Sequence, residues 1–201
     1  MKKRILPRSF YLNEDVLTMS QALLGKFLVT RIGHQLTSGM IVEAEAYNGV
    51  DDRASHAFND RRTARTETMY QKGGVAYIYL CYGIHHLFNA VTAEADVPHA
   101  VLIRAVEPID GIEIMLQRRR MHKINYKLTS GPGMFTQALG ITTEFNGHLL
   151  TQAPIWIEER GVVISKKDIV ATPRIGIDYA KEHKDLPWRF CLRNSPWVSK
   201  A

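Results

Sequence analysis

The chain has few cysteines and no long apolar run. Cys81 and Cys191 are its two cysteines, and each lies in an apolar stretch. That setting is more typical of reduced core thiols than of a disulfide framework or a zinc site. No segment is long and apolar enough to cross a bilayer, and the basic start MKKRILPRSF lacks the apolar run of a signal peptide. We therefore expect an unprocessed cytoplasmic protein with no membrane partner.

Several signatures of metal and cofactor chemistry are missing too. The sequence has no Cys-x-x-Cys or His-Glu-x-x-His motif, and the adjacent His85 and His86 would point to opposite faces of a strand. Gly131-Pro132-Gly133 lacks the full dinucleotide fingerprint and the Walker lysine, and no Gly-x-Ser-x-Gly elbow is present. We expect neither a metal nor another cofactor.

Positive charge is in excess. The chain has 26 Lys and Arg against 20 Asp and Glu, a formal net charge of +6, as expected of a protein that meets phosphate, acidic protein or an anionic membrane. The basic residues concentrate at the N-terminus, at Arg61 to Arg65 and at Arg118 to Lys123. A solvated face explains the last two clusters equally well.

Hydrophobic periodicity predicts one α+β domain. Asn13 precedes apolar residues at helical spacing, which predicts a helix over residues 14–24 with Asn13 as its cap. KFLVTRI with GMIVEAEAY predicts one hairpin, and GGVAYIYLCYGIHHLFNAVTA predicts another, with its turn at Tyr82-Gly83. PHAVLIRAVEP reads as a further strand, and IDGIEIMLQRRRM and SGPGMFTQALGI read as helices. We expect a single domain over residues 1–201 with a largely antiparallel sheet.

The stretch IVEAEAYNG places Glu43, Glu45 and Tyr47 at alternate positions, so an extended chain would present two carboxylates and a phenol on one face. The alternation alone favours a solvated strand face. Arg104 occupies a position from which it could face Glu45. That pairing is either a plain salt bridge or a general base with its electrostatic partner, which would hold a water for attack.

Aromatic residues near arginines suit a protein that binds a nucleobase, because rings stack on bases while guanidiniums meet phosphates. Tyr47, Tyr77, Tyr79 and Tyr82 are the candidates. For Tyr77 a buried tyrosine with a bonded hydroxyl is the better interpretation. Tyr82 lies at a predicted turn, where an aromatic can wedge into a base stack.

Six motifs in order carry a family resemblance: VEAEAY, SHAF, YIYLCYGIHHLFN, VLIRAVEP, LTSGPGMFTQALGI and NSPWVS. Together they make the chain resemble the alkyladenine (3-methyladenine) DNA glycosylases of the animal and bacterial type. The resemblance extends from the helix after Asn13 to Ser199. It implies a compact mixed fold with a curved antiparallel sheet, flanking helices and a protruding β-hairpin.

The resemblance also implies roles for individual residues. Glu45 would activate water for attack on C1′ of the deoxyribose, and Arg104 would help to hold that water. The pocket for the flipped base would be lined by Tyr47, His56, Tyr79 and Asn89. Tyr82 would intercalate into the DNA. The expected protein is a monomeric, monofunctional glycosylase of base excision repair. It would act on double-stranded DNA that contains 3-methyladenine, 7-methylguanine, hypoxanthine or ethenoadenine.

Two other functions fit the residues taken alone. One is a basic domain that binds structured nucleic acid without chemistry and would not need Glu45. The other is a glycosidase of free nucleosides, for which an intercalating tyrosine and a basic surface would be superfluous. His85 departs from the aromatic residue that a relative has near that position, which leaves the wedge geometry and the range of lesions open.

Overall fold

The structure is a computed structural model that describes residues 3–200. Met1 and Lys2 of the basic N-terminal stretch lie outside the described residues, as does Ala201. In the described part there are three α-helices: α1 (Val16–Leu23), α2 (Ile112–Arg118) and α3 (Pro132–Leu139). It also contains ten strands: β1 (Arg4–Ile5), β2 (Phe27–Ile32), β3 (Gln35–Asn48), β4 (Ala76–Cys81), β5 (His85–Thr92), β6 (His99–Asp110), β7 (Thr151–Gln152), β8 (Ile155–Glu159), β9 (Ile169–Thr172) and β10 (Arg189–Leu192).

The strands form one sheet in which every pairing is antiparallel, in the order β1-β8-β2-β3-β6-β5-β4, with β7 beside β8 and β10 joining β3 to β9. The first half of β3 pairs with β2 and its second half with β10, while β6 runs along its other edge. The predicted α+β fold with an antiparallel sheet is confirmed. The second half of β3, which carries the two acids, thus lies between two strands.

The register between β3 and β6 is irregular around Glu43. Ile41 pairs with Val106, Glu43 with Ala105 and Ala44 with Ile103, so Arg104 is an extra residue on its strand. Such bulges bend a strand and change the direction of a side chain. The irregularity lies where Arg104 passes the acids of β3.

Alternate residues of β3 belong to different layers of the core. Ala44 and Ala46 pack in the main hydrophobic cluster, to which all three α-helices contribute. Tyr47 packs instead with Ala54, Ile177 and Ala180. One face of the strand therefore meets the helices, and the other meets the connections after β3 and β9.

Two expectations from the sequence need correction. The first helix begins at Val16 and its N-cap is Asp15, whose Oδ1 accepts hydrogen bonds from the backbone N–H groups of Leu17 and Thr18. Asn13 lies one step earlier and accepts from the N–H of Asp15. The solvated strand face is also wrong: Glu43 and Glu45 are fully buried, because the connection after β9 and the segment around Ser199 contact this face.

Candidate active site

Glu45 is a fully buried carboxylate with two hydrogen-bond donors and one guanidinium around it. Its Oε1 accepts the backbone N–H of Ile175 at 2.9 Å and lies 3.2 Å from Nη1 of Arg104. Its Oε2 accepts the hydroxyl of Tyr47 at 2.9 Å. A buried carboxylate requires such partners, because an unpaired one would lose several kcal/mol of hydration energy.

Arg104 joins the two acids of β3. Its Nε donates to Oε1 of Glu43 at 2.9 Å while its Nη1 contacts Glu45. Burial alone would lower the pKa of Arg104, but the charges of Glu45 and Glu43 raise it above its ordinary value. The guanidinium is therefore a permanent cation between two carboxylates.

Beside these groups is a small cavity of about 40 Å³. Its aromatic and polar walls come from the strands and from the connection after β3, and the residues are Tyr47, Ala54, Ser55, His56, Met69, Tyr77, Tyr79, Asn89, Ala100 and Tyr179. Four of the predicted site residues, Tyr47, His56, Tyr79 and Asn89, thus share one cavity.

A groove of about 570 Å³ lies outside the cavity and shares Tyr47, His56, Tyr79 and Tyr179 with it. Arg104, Tyr82, Ile175 and the first residues of α3 also line this groove. Glu45 lines neither space, but it contacts three residues that line the groove: Tyr47, Arg104 and Ile175.

His56 is surrounded by aromatic rings. Its Nδ1 lies 2.9 Å from the hydroxyl of Tyr77, and its ring meets that of Tyr79 edge to face at 4.7 Å. Burial, together with the charges of Arg65 and Arg61, lowers the pKa of His56 to about 4. The imidazole is therefore neutral at physiological pH. Arg65 also lies 5.2 Å above the ring of Tyr79, so one arginine of the basic cluster reaches the groove.

Asn89 is buried, and one hydrogen bond to the neighbouring strand defines the orientation of its side-chain amide. Its Nδ2 donates to the carbonyl of Tyr77, the residue with which it pairs across the β4–β5 hairpin. The amide therefore has a defined direction in the cavity wall.

Tyr82 lies apart from the cavity. It occupies the β4–β5 turn with φ of 49°, and 91% of its surface is exposed. The next residue, Gly83, also has positive φ, at 73°. Two successive positive φ values are typical of a tight hairpin turn, which leaves the phenol projecting beside the groove. The predicted protruding hairpin is confirmed.

Several residues of the site were not predicted. Ile175 supplies a backbone N–H, a group that no side-chain pattern reveals. Arg174 and Asp52 form a buried ion pair behind Tyr47, with the guanidinium 4.8 Å from the ring. Tyr179 lines both spaces and donates to the carbonyl of Ala54. These contacts join segments more than 120 residues apart.

Within residues 3–200, no group of three or more His, Cys, Asp or Glu side chains is arranged to hold a metal ion. His85 is exposed, whereas Nδ1 of His86 accepts the backbone N–H of Thr143, so the two histidines do point apart. None of the described helices is long and apolar enough to span a membrane.

Comparisons with known proteins add an independent observation. The sequence profile described as methylpurine-DNA glycosylase (MPG) matches residues 9–196. A protein of Chlamydia felis (strain Fe/C-56) is 53% identical over 189 residues, which are 94% of this chain and 96% of that protein. Proteins of Bacillus cereus (strain AH820) and Desulfitobacterium hafniense (strain Y51) are 48% and 44% identical, and each match covers 96% of this chain and 98% of the relative. All three carry the provisional name of a 3-methyladenine DNA glycosylase. The chain therefore belongs to the methylpurine-DNA glycosylase family, and the predicted DNA glycosylase is confirmed.

Proposed function

We propose that the protein is a monofunctional glycosylase that flips alkylated or deaminated purines out of duplex DNA and hydrolyses their N-glycosidic bonds. The observation that carries this proposal is the carboxylate of Glu45, which is buried and oriented by two hydrogen bonds and an ion pair beside an aromatic cavity. The relatives are named for 3-methyladenine. We extend the range to 7-methylguanine, hypoxanthine and ethenoadenine, and we expect a cytoplasmic monomer that acts in base excision repair.

Glu45 is the group that activates water in this proposal. A carboxylate has about four acceptor sites, and two of those on Glu45 accept hydrogen bonds from Tyr47 and Ile175 while Oε1 also faces Arg104. Oε2 has the single donor Tyr47, so it is the oxygen with capacity for a water. That oxygen takes a proton from the water as the water attacks C1′.

The same carboxylate also stabilises the charge that develops in the reaction. Cleavage of the N-glycosidic bond builds positive charge on the sugar as the bonding electrons leave with the base, and a nearby anion favours that transition state. Methylated purines with a positive charge leave readily, whereas hypoxanthine must be protonated as it leaves. Arg104 orients the carboxylate and helps to hold the water.

The aromatic cavity accepts the flipped base. The rings of Tyr47, Tyr79 and His56 contact it, and neutral His56 adds no positive charge against a cationic methylpurine. Asn89 lies in the wall with a defined amide orientation, from which it disfavours the exocyclic amine of guanine. Tyr82 fills the gap that the extruded nucleotide leaves in the base stack.

The reaction stops at hydrolysis. Among the described residues no lysine lines the cavity or the groove, so no amine is placed to form a Schiff base with C1′. The product is an abasic site, and the strand breaks when alkali is added.

The test compares wild type with Glu45→Gln on end-labelled duplexes that contain one hypoxanthine or one methylated purine. We expect alkali-dependent breaks from wild type in single turnover, and a loss of activity by about a thousandfold in the variant, because general-base catalysis contributes on the order of a hundredfold to ten-thousandfold. Lesion-DNA binding, measured by fluorescence anisotropy, should persist.

Other outcomes would contradict the proposal in distinct ways. Equal loss of binding and cleavage in Glu45→Gln would remove the general-base role. Binding by wild type without cleavage of any lesion would indicate a nucleic-acid-binding domain. Strand breaks without alkali would indicate a lyase.

A further inference from the structure

Glu43, the second acid of β3, is fully buried and accepts four hydrogen bonds. Arg104 Nε donates at 2.9 Å and Arg189 Nε at 2.7 Å, both to Oε1. Ser199 donates twice, from its hydroxyl to Oε1 at 2.7 Å and from its backbone N–H to Oε2 at 2.6 Å. Oε1 therefore accepts three of these hydrogen bonds and Oε2 accepts one, and Glu43 lines neither the cavity nor the groove.

The four donors come from three separate parts of the chain. Arg104 belongs to β6, Arg189 belongs to β10 and Ser199 lies near the C-terminus. Ser199 is buried, and its carbonyl accepts from Nη2 of Arg189 at 3.0 Å. The backbone N–H, hydroxyl and carbonyl of Ser199 are thus all used around Glu43, which connects the end of the chain to the centre of the sheet.

Arg104 transmits this arrangement to Glu45. The guanidinium is planar and its N–H groups point in fixed directions, so the bond from Nε to Glu43 determines where Nη1 points. Nη1 is the atom that lies 3.2 Å from Oε1 of Glu45. Because Arg104 is the extra residue of a bulge, the backbone pairing alone does not define its side-chain direction.

Charge balance supports the same role. Glu43 and Glu45 bring two negative charges into a buried region, and Arg104 and Arg189 bring two positive ones. Arg189 contacts Glu43 and has no contact with Glu45 among the described ion pairs. Its charge offsets that of Glu43, which leaves Arg104 able to interact with Glu45 as well.

We propose that Glu43 and Ser199 are positioning residues, which orient Arg104 against Glu45 so that the C-terminal segment supports the chemical step. This inference rests on the proposed role of Glu45 as the base. Neither residue touches the substrate, and both act through the guanidinium of Arg104.

The first test is Glu43→Gln, measured as the single-turnover rate constant of base release and as the affinity for lesion DNA. We expect the rate constant to fall about a hundredfold, the loss that a displacement of about 1 Å can cause, with affinity within about twofold of wild type. The matched control is Glu158→Gln. Glu158 is also a buried acid, bonded to Arg160 Nε at 2.8 Å and to Trp156 Nε1 at 2.7 Å, but it lies on β8 away from the site. This control should lower thermal stability and leave the rate constant unchanged.

A milder pair of variants keeps the test valid if Glu43→Gln does not fold. Ser199→Ala removes the hydroxyl donor and retains the backbone N–H, so it should slow base release less than Glu43→Gln with unchanged affinity. Ser199→Thr restores a hydroxyl and should recover the wild-type rate. A rate loss in Ser199→Ala that Ser199→Thr does not recover would overturn the proposal.

The two proposals fail in distinguishable ways. If Glu45→Gln abolishes base release while folded Glu43→Gln releases base at the wild-type rate, the positioning role is wrong and the general base stands. Loss of rate and affinity together in both Glu43→Gln and Ser199→Ala would also overturn it, because a purely structural role predicts that pattern. If Glu45→Gln retains full activity, the proposed base itself is wrong.

Discussion

Glu43 and Glu45 differ in which residues surround each carboxylate. Of the partners of Glu43, which are Arg104, Arg189 and Ser199, Arg104 alone lines the groove. All three partners of Glu45, which are Tyr47, Ile175 and Arg104, line it. Both acids are equally buried and both contact Arg104. At the scale of the residue, the neighbours therefore separate the acid proposed to activate water from the acid proposed to orient Arg104.

The low pKa of His56 predicts how the free energy of unfolding depends on pH. Burial lowers its pKa from the ordinary 6.5 to about 4 in the folded protein, so between these values the unfolded chain binds a proton that the folded protein does not. Acid therefore favours unfolding in this range. We expect the free energy of unfolding to fall by on the order of 2 kcal/mol between pH 7 and pH 4.5 through this group.

Urea unfolding at the two pH values, in wild type and His56→Gln, measures this effect. Glutamine does not titrate, so the variant should lose less stability on acidification, although it lacks the contact with Tyr77 at every pH. His99, whose pKa burial also lowers, remains in both proteins and its contribution cancels. An identical pH dependence in the two proteins would contradict the prediction.

At the scale of the element, the N-cap of α1 depends on one side chain. Asp15 accepts from the N–H groups of Leu17 and Thr18, at 2.9 and 3.1 Å. Asp15→Ala should lower the free energy of unfolding by about 1 kcal/mol, the usual effect of losing an N-cap. Asn13→Ala is the control and should lower the free energy of unfolding by less, because Asn13 bonds only the N–H of Asp15 in this turn. Chemical denaturation measures the free energy of unfolding of both variants. A larger loss in Asn13→Ala would support Asn13 as the N-cap, as the sequence predicted.

The β4–β5 hairpin gives a second prediction at this scale. Since Tyr82 has 91% of its surface exposed, Tyr82→Ala should leave the melting temperature unchanged. It should weaken lesion-DNA binding by up to a few kcal/mol, about the cost of unstacking a base step. Tyr82→Trp, which retains a large ring, should bind nearly as wild type does. Unchanged binding and cleavage in Tyr82→Ala would remove the wedge role.

At the scale of the whole molecule, the net charge of +6 predicts that DNA binding depends on salt. Each phosphate that the bound protein neutralises adds about −0.9 to the slope of log affinity against log salt concentration. We expect affinity to fall by about tenfold or more between about 50 and 200 mM salt. Titrations by fluorescence anisotropy at several salt concentrations measure the slope, and a flat dependence would favour a glycosidase of free nucleosides.

Neighbouring arginines offer a matched pair for this measurement. Arg62 is already bonded to Glu67 and Asp96, whereas Arg65 lies over Tyr79 and lines the groove. Arg65→Ala should therefore reduce the salt slope by about 1, as expected for one phosphate contact. Arg62→Ala should change the salt slope less.

The sequence by itself determined the helices, the strands β2 to β6 and much of the candidate site. Hydrophobic alternation predicted β3 and the exposed turn at Tyr82, and ordered motifs predicted the family. The family resemblance also implied that Glu45, Tyr47 and Arg104 lie in one site. The strands and the turn follow from local periodicity and from turn chemistry, both of which act over a few residues.

Only the tertiary structure decided which groups complete the site. Ile175 lies 130 residues from Glu45, and Ser199 lies 156 residues from Glu43. A periodic pattern contains no information about contacts at such separations. Burial of the two acids was likewise decided at long range, because Ile175 and Ser199 contact a face of β3 that alternation alone would leave solvated.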